Sequence, residues 1–237
     1  NRSFQLQVGH NLSDQWSIVG YILGQNDFKS VGFSGADQAV MPEFAARVRY
    51  QNANGFFAVL NGGVLTLKPE LKDADGYKSD HCIVAPYISG SLRYTFDKLQ
   101  VKAGFVYGGN MTSHVMLGGV GQKANGDYVP LYTDSYWIDL QHPVKKWTPG
   151  IFCGYSSNLG ASEKAVAVAR FSRAPEIGHL YAISPRIYYN ATAKLWFGVE
   201  YMMNRADYGT TMDAYAKPED FTAYTNHRFS LNAKYFF

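Results

Sequence analysis

Arg47 and Arg49 are separated by one residue in the run Met41-Pro42-Glu43-Phe44-Ala45-Ala46-Arg47-Val48-Arg49-Tyr50. In an extended chain that spacing sends both guanidinium groups to the same side. Planar, forked donors in a row match the two oxygens of a carboxylate, so the pattern suits the holding of anions. With the apolar partners of each alternating segment turned the other way, Arg93, Lys102, Arg186, Arg228 and Lys234 join Arg47 and Arg49, and so do the acids Glu43 and Glu200. That side is basic even though 22 Lys and Arg against 19 Asp and Glu leave the whole chain at only +3. So small a net charge, with no accompanying motif, gives no reason to expect nucleic acid as a partner.

Nucleophile and base chemistry has weaker candidates. Asp80-His81, His142 and Asn226-His227 with Ser230 carry the residue types, but a general base needs an orienting partner and a nucleophile within hydrogen-bond reach. No local spacing supplies that set, and no catalytic residue is assigned. Cys82 and Cys153 have neither a metal-like nor a redox-like spacing and read as packing residues. No metal or other cofactor is expected.

The elements that must position the charged row are strands. Phe229, Leu231, Ala233, Tyr235 and Phe237 alternate with mostly polar residues through the last ten positions, which gives one apolar face at a period of two. Similar segments near 3–11, 15–25, 40–51, 55–68, 82–96, 99–110, 148–157, 164–173, 180–190 and 194–208 bring the count to about 11 strands. Asn11-Leu12-Ser13-Asp14, Asn52-Ala53-Asn54-Gly55, Asp97-Lys98 and Asn190-Ala191-Thr192-Ala193 read as tight turns, and 26–39, 69–81, 111–147 and 209–221 as longer connections. No run of about 18 apolar residues occurs, which excludes helical spans. Alternating short turns and long loops, with 16% aromatic residues, is the layout of a transmembrane antiparallel β-barrel. The fold class is all-β. Trp16, Tyr50, Tyr94, Phe96, Trp147, Tyr188, Tyr189, Tyr235 and Phe237 are placed to form interface girdles. A further pattern, x-Pro-x-apolar at Pro42, Pro86, Pro149 and Pro185, is expected where strands descend from long loops.

The closing strand resembles the C-terminal signal strand of Gram-negative outer-membrane β-barrels, with Tyr235 and Phe237 on the motif. The resemblance implies that these two aromatics are read by the outer-membrane assembly machinery. The strand beginning Met41-Pro42-Glu43-Phe44 and ending Arg47-Val48-Arg49-Tyr50, with the apolar strand from Phe56 to Leu67, is similar to that of DcaP-like porins. That resemblance implies a trimeric channel in a lipid bilayer for dicarboxylates and similar anions. Outer-membrane phospholipases and omptin proteases provide an enzymatic alternative, but their His-x-Ser and Asp-His patterns find no clear match. A soluble β-barrel binding protein is the other alternative.

Counting back from a last strand that ends in the periplasm makes the first strand run downward, whereas bacterial barrels begin with an upward one. The chain is therefore expected to lack an odd number of N-terminal strands and to be part of a 12- to 16-stranded barrel. Residues 111–147 are expected to be one long loop that enters the lumen, flaps outside it or contacts another subunit.

Overall fold

The computed structural model describes residues 4–24, 41–68, 72, 76–79, 81–168 and 172–236. Thirteen strands among these residues join in one antiparallel sheet. They are β1 (Gln5–Asn11), β2 (Trp16–Leu23), β3 (Glu43–Gln51), β4 (Phe57–Leu67), β5 (Ile83–Phe96), β6 (Leu99–Gly109), β7 (Gly119–Gln122), β8 (Tyr128–Gln141), β9 (Trp147–Ala161), β10 (Ala167–Val168), β11 (Ile177–Asn190), β12 (Leu195–Met212) and β13 (Pro218–Tyr235). Eleven of them follow one another as β1-β2-β3-β4-β5-β6-β8-β9-β11-β12-β13, while β7 pairs with β8 and with the short β10. Each of the eleven is hydrogen-bonded to its successor in the chain or to the next strand beyond a loop insertion. No described helix is long and apolar enough to cross a membrane.

Tight turns bring successive strands back beside each other, and their residues show why they form. The Ser13 hydroxyl accepts the N–H groups of Gln15 and Trp16. Asn52 Oδ1 accepts the N–H of Phe56, and the Thr192 hydroxyl those of Lys194 and Leu195. These side chains hold backbone donors that the ladder leaves unused. Gly55, with φ of +79°, supplies the left-handed residue of its hairpin. Antiparallel pairing puts the connections at 12–15, 52–56, 97–98, 142–146 and 191–194 at one end of the sheet, where β13 also finishes.

The structure corrects three boundaries and one pattern. Residues 111–147 are not a single loop: 128–141 form β8, and β9 begins at Trp147. The alternation of β8 is concealed because its apolar side chains change faces midway, from Val129 and Leu131 to Ile138 and Leu140. The strand expected at 164–173 is not on the main path; among the described residues there, Ala167–Val168 form a strand paired with β7. These two errors cancel, so the expected 11 long strands remain. The loop expected at 209–221 is a five-residue connection between β12 and β13. The proline pattern is not one structural position either. Pro42 precedes β3, whereas Pro149 lies at the turn end of β9, and Pro185 is in the middle of β11. Phe237, Asp80 and the connection expected at 26–39 lie outside the described residues.

One face of the sheet is apolar and exposed. Phe44, Leu60, Val84, Ile88, Leu92, Ile138, Ile151, Ile183, Ile187, Phe197, Val199, Phe229 and Leu231 all stand on it in the open. The buried clusters lie elsewhere. Leu65 and Ala85 pack with Met111, and Leu67 and Ile83 with Val120, on the opposite face near the long-loop end. An aqueous protein would put its aliphatic side chains in such clusters rather than across one outer face. On β12 the apolar set runs from Leu195 to Met203, eight rises of about 3.3 Å, or about 26 Å along the strand. Above it the same face turns polar at Arg205 and Asp207, which pair at 2.8 Å. The nine residues from Leu195 to Met203 are about the number a tilted strand uses to cross a membrane.

Candidate functional site

Register places all nine charged residues singled out from the sequence on the other face, because directly paired residues in an antiparallel ladder share a side. Arg47 pairs with Asn61 and Asn61 with Ser89, while Gln51 pairs with Phe57 and Phe57 with Arg93. Arg93 then pairs with Lys102, and Lys102 with Asp139. Across the next strands Asp139 pairs with Phe152, and Gly150 with Arg186. Arg186 faces Glu200, Met202 faces Arg228, and Trp196 faces Lys234. Glu43 and Arg49 share the side of Arg47 by alternation. The sequence reading missed Asp139, which it left in the supposed loop. Tyr188, expected in a girdle, stands on the charged face beneath the Lys234 ammonium, 4.7 Å from its ring centroid. Its neighbour Tyr189 keeps to the apolar face and packs against Trp147 at 4.7 Å. Trp16 and Tyr50 make a matching contact, also at 4.7 Å, on the same end of the sheet.

The charges divide into two groups. Three acids are held by neighbours: Asp139 by the Arg186 guanidinium at 2.6 Å, Glu200 by the Ser184 hydroxyl, and Glu43 by the Tyr87 hydroxyl. Most of the cations instead meet neutral partners. Arg47 donates from Nε to Asn61 Oδ1 at 2.8 Å and lies over the Tyr21 ring, and Arg49 donates from Nε to the Ser17 hydroxyl at 3.1 Å. Arg93 lies over Phe57, 5.6 Å from its centroid, and Arg228 reaches the Met202 sulfur at 3.4 Å. Arg186 is the single member of the predicted basic set that forms an ion pair among the described residues.

The segment between β6 and β8 folds onto this charged face. A 3-10 turn, Met111–His114, puts Met111 against Leu65, Ala85, Tyr87 and Val106. His114 ends the turn, with Nε2 3.8 Å from Glu43 and its ring 5.1 Å from that of Tyr87. Burial lowers the His114 pKa from its ordinary value, against the opposing pull of the Glu43 charge. Gly63 makes room for Tyr87: a Cβ there would be 2.5 Å from the phenol ring. This insertion also explains why β4 is apolar on both sides. Leu65 and Leu67 face the charged side but are covered by the segment, not by water.

Among the described residues the histidine candidates do not assemble a catalytic set. His227 and Ser230 fall on opposite faces, and His227 Nδ1 is 2.6 Å from the Tyr201 hydroxyl. His81 pairs with Asp127 at 2.9 Å, both well exposed. No group of three metal-ligating side chains occurs among the described residues.

No family model matches the chain, and no curated protein matches it. Solved structures do. The outer membrane channel DcaP of Acinetobacter baumannii matches over 98% of this chain with a TM-score of 0.76 at 14% identity, and the chain spans 61% of that channel. OmpT, an outer membrane protein of Vibrio cholerae, matches over 98% with a TM-score of 0.52 at 11% identity, the chain spanning 63% of it. OmpF of Salmonella typhi matches over 95% at 0.51 and 14% identity, with 61% of its length spanned. The fold is that of a bacterial outer-membrane β-barrel porin. In a porin barrel one sheet face meets lipid, and polar residues alternate onto the other. The exposed aliphatic face described above is the one suited to lipid, which removes the soluble binding protein as an alternative. The chain thus spans about three fifths of each of these three structures, and a trimer form of the Vibrio OmpT is among the solved matches.

Proposed function

We propose that this chain forms a channel of the bacterial outer membrane for passive diffusion of small hydrophilic solutes, with a preference for anions and for small carboxylates among them. The observation that carries the reading is the single face shared by seven cations, Arg47, Arg49, Arg93, Lys102, Arg186, Arg228 and Lys234, against three carboxylates, Glu43, Asp139 and Glu200. Lining a lumen with that face leaves the aliphatic face in lipid, which is the arrangement a barrel requires. Rings of Arg and Lys within a low-dielectric wall concentrate their field and draw anions in before contact. The insertion carrying Met111 and His114 narrows one end of the lumen. Closure of the barrel by further strands, assembly as a homotrimer and recognition of Tyr235 and Phe237 by the assembly machinery belong to the same reading.

Reversal potentials in planar bilayers under a salt gradient test it. Anion preference is expected, and the Arg47→Glu, Arg49→Glu double variant should shift it towards cations. A cation-preferring parent channel would overturn the assignment.

A further inference from the structure

Arg93 and Lys102 occupy directly opposed positions on β5 and β6, on the charged face. Opposed residues in an antiparallel pair have their Cβ atoms about 5 Å apart, and like charges placed so destabilise a sheet. A carboxylate stands on the next strand, for Lys102 also pairs with Asp139. It is engaged elsewhere: Asp139 accepts from Arg186 at 2.6 Å. Among the described residues no acid lies within ion-pair distance of either Arg93 or Lys102. Two cations therefore face each other, and the nearest carboxylate is shared with Arg186 and forms no ion pair with either of them among the described residues.

The neighbours are suited to a small guest. Phe57, directly across β4 from Arg93, carries the guanidinium over its ring, which fixes one plane of the fork and leaves its edge free to donate. Thr95 and Gln100 form the adjoining pair on one side of Arg93 and Lys102, and Ser91 and Gly104 form the pair on the other. The neutral hydrogen-bonding side chains of Thr95, Gln100 and Ser91 thus flank the two charges, and the Trp137 ring fills the space over Gly104 beside Lys102.

We infer that Arg93 and Lys102 form a discrete oxyanion-binding subsite, in which one carboxylate or phosphate group of a small solute bridges the guanidinium fork and the ammonium group. The subsite rests on the channel reading above and adds to it a point where a solute pauses. Binding relieves the like-charge opposition, so the guest and the fold stabilise each other.

The test uses the whole chain reconstituted in planar bilayers, with conductance followed against concentration of potassium acetate, potassium phosphate and potassium chloride. Saturation with acetate, phosphate or both is expected, and which of the two saturates identifies the source of the oxyanion. Arg93→Gln and Lys102→Gln should each raise the half-saturating concentration at least about tenfold, the equivalent of one charge-assisted hydrogen bond, a larger factor than the fall in chloride conductance that loss of one lumen charge produces. A second readout is the urea midpoint in detergent at fixed ionic strength. The oxyanion should raise it for the parent and not for Lys102→Gln, whose own midpoint without oxyanion should be at least that of the parent. Conductance linear in both oxyanions, or variants that keep the parent's saturation, would overturn the subsite while leaving the channel standing. Absence of any conductance would remove both.

Discussion

Arg186 reaches Asp139 across the whole width of β9, closing to 2.6 Å by passing over Gly150, whose missing side chain leaves the path open. Both side chains are mostly covered, at 9% and 15% exposure. Replacing one partner leaves the other charge sheltered and unmatched. Asp139→Asn is therefore expected to lower stability by about 3 kcal/mol, read as a lower urea midpoint in detergent, while Asp139→Asn with Arg186→Met should recover much of the loss.

The two faces should respond in opposite ways to the same new charge. Leu231 and Ser230 are neighbours on β13 that face opposite sides. Leu231→Lys puts an ammonium in the apolar band and should cost about 2–4 kcal/mol in a bilayer. Ser230→Lys, beside Glu200 on the charged face, should change stability by less than about 1 kcal/mol. Equal costs would contradict the assignment of faces.

Gly63→Val should expel Tyr87 from its place. The new Cβ would overlap the ring, and overpacking of this kind costs about 1–3 kcal/mol. Displacing Tyr87 also strips Glu43 of its donor and removes a wall of the Met111 cluster. Faster proteolysis of the β6–β8 insertion, with β-structure retained by circular dichroism, is the expected result.

Docking of that insertion should weaken in acid. The His114 pKa in the docked segment lies below the ordinary imidazole value of 6.5, chiefly through burial. The undocked segment therefore binds a proton more readily than the docked one, and linkage makes docking fully favoured above about pH 6.5 and progressively weaker as the pH falls through the lowered value. Proteolysis of the insertion measured from pH 7.5 to 5 should accelerate, and His114→Gln should flatten the profile. A rate that falls with acidification would give the opposite sign.

Topology can be read from intact cells. Added protease should cut within 110–127 or 162–176 and spare 12–15, 52–56, 97–98, 142–146 and 191–194 until the outer membrane is permeabilised. Cleavage at the 97–98 turn of sealed cells would reverse the orientation.

The sequence by itself determined the strands whose faces differ cleanly and the side on which their charges fall. Glu43 to Gln51 and Tyr87 to Phe96 alternate without interruption, and a period of two leaves only one assignment when one face must be apolar. The tight turns were equally legible, because Ser13, Asn52 and Thr192 act on backbone within a few residues of themselves. Only the tertiary structure decided what depends on contacts distant in the chain. β8 showed no period because Val129 and Leu131 at its loop end pack with Ala161, Ala165 and Ala216 while its turn end meets the outer medium, so the apolar side changes along one strand. β4 looked apolar throughout for the same reason, Leu65 and Leu67 being covered by Met111 and Val120. The ion pair of Arg186 with Asp139, and the opposition of Arg93 and Lys102, depend on register between strands. Alternation along one strand gives the face of a charge, whereas its partner is set by hydrogen-bonded pairing with another.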